Sequence, residues 1–158
     1  MPGEIMRAWG WSVGLLLELG SALAIAAPPP NDFQRLQVAL ERVGVTVKLA
    51  LPPVSGVYGL FRSGDRTIWI NPVVFDLGIA EATLVHEGTH AVQACRGRNG
   101  RLATLGLNYR APAQALRLYQ RYPTQLWREG LEEEAYAVQA RPDRVEELLR
   151  LLKRHCRP

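Results

Sequence analysis

The chain has 158 residues, of which 47% are hydrophobic and 22% charged, and its formal net charge is +4. That length suits one domain and excludes two large ones, and the balance of apolar and charged residues fits neither a disordered chain nor a polytopic membrane protein. The basic excess is mild and rests on scattered arginines, with only Lys48 and Lys153 as lysines. No basic stripe or recognisable module argues for a nucleic-acid partner.

From Trp9 to Ala27 the only ionisable residue is Glu18, with Arg7 ahead of the run and small residues closing it before Pro28-Pro29-Pro30. This order reads as a signal peptide or an N-terminal membrane anchor over residues 1–26, ahead of a domain spanning 27–158. It leads us to expect an exported protein that is secreted, periplasmic or anchored, with any membrane contact made through this segment only. The competing reading is a cytosolic chain whose first helix is simply buried. The two cysteines, Cys95 and Cys156, fit export, because an oxidising compartment tends to pair an even number of thiols. Each also extends an apolar helical stripe, and a disulfide between them is expected over two buried free thiols.

After the Pro run, Asn31-Asp32 caps a helix whose apolar positions Phe33, Leu36, Leu40 and Val43 recur at spacings of three and four, and Gly44 stops it. Val45–Leu51 alternates, with Val45, Val47 and Leu49 on one side, and Pro52-Pro53 ends the strand. Val57–Arg62 and Arg66–Ile70 flank the turn Ser63-Gly64-Asp65 and read as a hairpin, closed by Asn71-Pro72. Helices follow at Glu81–Cys95, Pro112–Arg121, Pro123–Ala140 and Pro142–His155. The last three begin with Pro, where its missing N–H is tolerated. A small α+β domain results, with strands early and helices late.

Two of the three histidines lie in His86-Glu87-Gly88-Thr89-His90, an HExxH pattern. On a helix, residues four apart share a face, so both imidazoles can address one Zn²⁺ while Glu87 stands beside a water on the ion. Neutral imidazole ligands leave the ion positive, its water acidic, and Glu87 able to take the proton. The helical wheel supports this arrangement. Leu84, Val85, Gly88, Ala91, Val92 and Cys95 fall on one side, and Ile79, Thr83, His86, His90 and Gln93 on the other. Gly88 on the core side suggests that another backbone packs closely against it.

A catalytic zinc needs a third protein ligand. The candidates are His155, at the last turn of the final helix, and Glu129, Glu132, Glu133 and Glu134. His155 reads as a solvated helix cap. Periodicity singles out Glu134, which lies beside the stripe of Trp127, Leu131 and Val138 and is the hardest of the four to explain as merely solvated.

The stretches His86–His90 and Glu132-Glu133-Glu134-Ala135-Tyr136 together resemble the gluzincin zinc metallopeptidases, in which a Glu on a later helix completes an HExxH site. The likeness covers roughly residues 67–95 and 127–140 and holds at the level of a clan. It implies a small zincin-like domain, a Zn²⁺ cofactor, a peptide or protein substrate, and catalysis by Glu-assisted attack of zinc-bound water. In several such families the ligand precedes an Ala by three positions, which selects Glu132. Tyr136 departs from the Asp often found there, and could support a ligand or reach the oxyanion. The resemblance also makes Thr67-Ile68-Trp69-Ile70 an edge strand that pairs with substrate. The alternative function is a non-catalytic, zinc-stabilised interaction module at the membrane or cell exterior.

Overall fold

The computed structural model describes residues 31–115 and 126–156. The segment read as a signal peptide or anchor lies outside them, as do most of the helix expected at 112–121 and the start of the one expected at 123–140. Among the described residues, no helix is long and apolar enough to cross a membrane.

Helix α1 (Asp32–Arg42) begins with a reciprocal cap: Asn31 Oδ1 accepts from the Gln34 amide at 2.9 Å, and Gln34 Oε1 accepts from the Asn31 amide at 3.0 Å. Its apolar stripe buries Phe33, Leu36 and Leu40, and Gly44 leaves the helix at a φ of +77° that side chains resist. Three short strands follow, β1 (Thr46–Leu49), β2 (Gly59–Arg62) and β3 (Thr67–Ile70). The sheet order is β1-β3-β2, with β1 parallel and β2 antiparallel to β3. Val47 is buried in β1, but Leu49, expected on the same inner side, stays half exposed at the strand's end.

One expectation fails here. Thr67–Ile70 is the central strand, paired on both sides and buried at all four positions, so it offers no edge to a substrate. Sequence shows strand character but not lateral order, and the Val45–Leu49 segment takes the place beside β3. Among the described residues, the free edges belong to β1 and β2. Asn71 N–H donates to Tyr58 O at 2.9 Å, which makes Tyr58 and Asn71 a hydrogen-bonded pair and Gly59 and Ile70 a non-bonded one. Gly59 and Phe61 therefore turn their backbone N–H and C=O groups away from β3.

A short helical turn, α2 (Val73–Asp76), leads into α3 (Ala80–Arg96), around which the domain is built. The apolar side of α3, Leu84, Val85, Ala91 and Val92, is buried against α1, the sheet and the last helix. Its polar side is covered as well, by β2 and by α4 (Leu126–Gln139). Helix α5 (Arg144–His155) buries Val145, Leu148, Leu151 and Leu152. At Gly88 the close neighbour is a side chain where a backbone was expected: a Cβ there would lie 2.6 Å from Leu148 Cδ2. Cys95 at the end of α3 and Cys156 after α5 are joined, with sulfurs 2.06 Å apart, as expected.

Candidate metal centre

His86 and His90 stand one turn apart on α3, and α4 crosses that face so that Glu132 arrives opposite them. Glu132 Oε2 lies 3.3 Å from His86 Nε2, and Oε1 lies 3.5 Å from His90 Nε2. The two Nε2 atoms are 3.2 Å apart, and all three potential donor atoms fall within 4.8 Å of one another. Both imidazoles are about nine-tenths buried, at 12% and 10% exposure, whereas Glu132 keeps 30%.

The outer ring nitrogens decide what these atoms can do. His86 Nδ1 is 3.1 Å from Gln139 Oε1, and His90 Nδ1 is 2.8 Å from Gln93 Oε1. Gln93 cannot be turned around, because its Nε2 already donates to Leu131 O at 2.9 Å and to Glu134 Oε2 at 3.0 Å. The Gln93 oxygen demands a proton on His90 Nδ1, and the Gln139 oxygen facing His86 Nδ1 matches the same tautomer there, which leaves both Nε2 lone pairs pointing at each other and at a carboxylate. Three acceptors converging in a buried spot repel unless a cation lies among them.

The electrostatics respond accordingly. Burial alone would lower the pKa of His90, but the hydrogen bond and charge of Glu132, with Glu87 behind it, raise it from 6.5 to about 9. Burial would raise the pKa of Glu132, and hydrogen bonds from His86 and His90 instead hold it well below the usual carboxylate range. A proton can thus fill part of the cation's place, and so can a metal ion. Imidazole nitrogens and one carboxylate are the donor set that suits zinc with a position left open. The triad is consistent with a zinc site of the zincin type.

The other candidates fall elsewhere. Glu133 is exposed. Glu134 is buried, and its carboxylate accepts from the backbone amides of Leu105 and Gly106, both at 2.7 Å, and of Leu107 at 3.2 Å. Its burial, which made it awkward as a solvated residue, is explained by that nest. His155 is not one of the converging groups; burial and the nearby Arg96 and Arg154 lower its pKa. The side chains of Trp127 and Glu129 lie outside those described. The Tyr136 ring packs edge-on against His86, centroids 4.6 Å apart.

Glu87 is 8% exposed and turns toward β2, where the absent side chain of Gly59 makes room for it. Sequence reasoning placed Gln93 on the histidine face without assigning it a role, and its position three residues after His90 was the available signal. Gln139 and Gly59 were missed. Gln139 lies two turns beyond Glu132 on the same helix face, a spacing that could have pointed to it, whereas nothing local marks Gly59 as a neighbour of Glu87. Comparison with family models, with curated proteins and with solved structures finds no match to this chain, so the description of the site rests on its own geometry.

Proposed function

We propose that the protein is an exported zinc-dependent hydrolase that cleaves peptide bonds, with His86, His90 and Glu132 as ligands and Glu87 as general base. The observation that carries this reading is the convergence of two Nε2 lone pairs and a carboxylate on one point, with Nδ1 of both rings held by amide oxygens. Zinc held there supplies Lewis acidity toward a carbonyl oxygen and lowers the pKa of water to ~7. Glu87 takes the proton of the attacking water and returns it to the leaving amine. Its placement against Gly59 puts that proton transfer beside the outward-facing backbone groups of β2. An extended peptide can add to those groups as a further strand, so β2 replaces β3 as the substrate platform. Tyr136 supports His86 through its ring. Export is favoured by the apolar segment at residues 9–27 and by the Cys95–Cys156 pair.

The alternative, a closed structural zinc site in an interaction module, is disfavoured by the donor count. Structural sites use four protein ligands, and among the described residues three converge here, with a carboxylate beside them that such a site does not need. The deciding experiment is zinc content together with cleavage of an unstructured protein, with and without chelator, for the native chain and for Glu87→Gln. We expect one zinc in both and turnover in the native chain only. Unchanged cleavage by the Gln variant would remove Glu87 from the mechanism, and a native chain that holds no metal would remove the whole proposal.

A further inference from the structure

The hydrolase reading gives no task to Glu134, a buried carboxylate beside the ligand Glu132. Glu134 is 7% exposed and lies two residues from Glu132, yet it turns away from the converging imidazoles. Its four hydrogen bonds divide by oxygen. Oε1 accepts from the amides of Gly106 and Leu107, and Oε2 accepts from the amide of Leu105 and from Gln93 Nε2. Gln93 is fully buried and spends its other amide hydrogen on Leu131 O. Every donor and acceptor along this path has one permitted sense.

We infer that Glu134 and Gln93 are positioning residues for the metal site: they form a polar relay from the 105–107 loop to His90 that fixes which ring nitrogen faces the metal. A carboxylate can only accept, so Gln93 must present its NH₂ group to Glu134. Its oxygen is then committed to His90 Nδ1, and that nitrogen must carry the proton. The Nε2 lone pair is left free toward His86 and Glu132. Replacing Glu134 by Gln breaks the logic at one atom. Its amide group has only one acceptor oxygen for the two positions, and whichever position receives NH₂ faces donors. If that position is the Oε2 one, Gln93 either faces a donor with a donor or turns over at the cost of its bond to Leu131 O, and the turned-over amide offers NH₂ to His90, which favours the tautomer with its proton on Nε2, where no metal can bind. The relay also ties the loop after α3 back to His90, which it follows in the chain, so that His90 is oriented only when the loop's backbone is in place.

This inference rests on the zinc reading, and its test separates the two. Zinc affinity is measured by chelator competition on the full chain for the native protein, Glu134→Gln, Gln93→Met and the double variant. In parallel, ¹¹³Cd–¹⁵N couplings and Nδ1–H exchange are recorded on the cadmium-loaded proteins. The native chain should bind one ion through His90 Nε2, with a slowly exchanging Nδ1 proton. Each single variant should lose about 10–100-fold in affinity, the usual effect of removing a ligand's hydrogen-bond partner. The double variant should bind no more weakly than Gln93→Met, because both changes act through one group. Losses that multiply in the double variant would mean that Glu134 acts by itself on the fold, and would overturn the relay. Should Glu134→Gln fail to fold, Gln93→Met decides, since it leaves the loop on Glu134: native affinity together with a slowly exchanging Nδ1 proton overturns the inference. A native chain that binds no metal would defeat the zinc reading itself, whatever the variants do.

Discussion

Gly59 and Glu87 are so close that a Cβ on Gly59 would lie 2.7 Å from Glu87 Cγ and 2.8 Å from its Oε1, with Thr83 Cγ2 at 2.9 Å. The β2 edge and the proposed base are therefore fitted to each other through a missing side chain. Gly59→Ala must move either the strand or the carboxylate. Because misplacing a reacting group by an ångström costs ~100-fold in rate, kcat should fall by about 10–100-fold. None of the three atoms nearest the added Cβ belongs to His86, His90 or Glu132, so metal stoichiometry should be unchanged. A variant that keeps native kcat would show that Glu87 does not need its place against β2.

The raised pKa of His90 has a definite sign. In the metal-free chain the group binds its proton more tightly folded than unfolded. It therefore contributes stability that is fully present below about 6.5 and is lost as pH rises through about 9. Glu132, held low, acts in the opposite sense: its contribution is present above its ordinary value of 4.5 and fades as the medium becomes strongly acidic. A metal ion must displace the His90 proton, so zinc affinity should climb by about tenfold per pH unit up to that range and then level off. Denaturant unfolding of the metal-free chain and buffered zinc titrations check both. A zinc affinity that is flat between neutral and mildly alkaline pH would show that His90 holds no proton in that range.

How much of this could be read from sequence depends on whether the signal is local. The cap at Asn31, the α1 stripe, the β2–β3 hairpin and the apolar face of α3 follow from residues close in the chain, and all are present. The HExxH pair is local too, since two imidazoles four residues apart share a helix face wherever that helix lies. Lateral order is not local. Whether β3 is an edge or the centre depends on where the Val45–Leu49 segment docks, and residues 67–70 are apolar in either case. The choice among Glu132, Glu133 and Glu134 depends on the crossing of α4 over α3. Three consecutive helical residues point about 100° apart. One meets the imidazoles, one meets solvent and one meets the 105–107 amides, and the apolar stripe alone favoured the wrong member for the imidazoles.

The Cys95–Cys156 bond closes a loop with a sequence separation of 61 and joins the end of α3 to the end of α5. In the chain-entropy account a loop of that length stabilises the fold by about 4 kcal/mol. Mutating both cysteines to alanine should lower unfolding free energy by ~2–5 kcal/mol. Because Leu148 of α5 packs against Gly88, between the two histidines, loosening α5 should also speed zinc loss to a chelator. Urea unfolding and metal-release rates measure the two effects separately. Stability equal to that of the native chain would mean that the bond is incidental to the fold.

The three consecutive glutamates give three distinct expected phenotypes. Glu132 faces both Nε2 atoms, so Glu132→Ala removes a charge from the metal's surroundings and should abolish stoichiometric zinc retention. Removing one member of the buried set should also lower the stability of the metal-free chain at neutral pH, because a protonated His90 is left without its counter-charge. Glu133 is exposed, and Glu133→Ala should leave both zinc content and stability within experimental error. Glu134→Ala leaves three loop amides and Gln93 without their acceptor. At ~1–3 kcal/mol for an unsatisfied buried group, it should be the most destabilising of the three. Calorimetry and metal analysis on the same three preparations resolve the order, and zinc retained by Glu132→Ala but lost by Glu133→Ala would reassign the ligand.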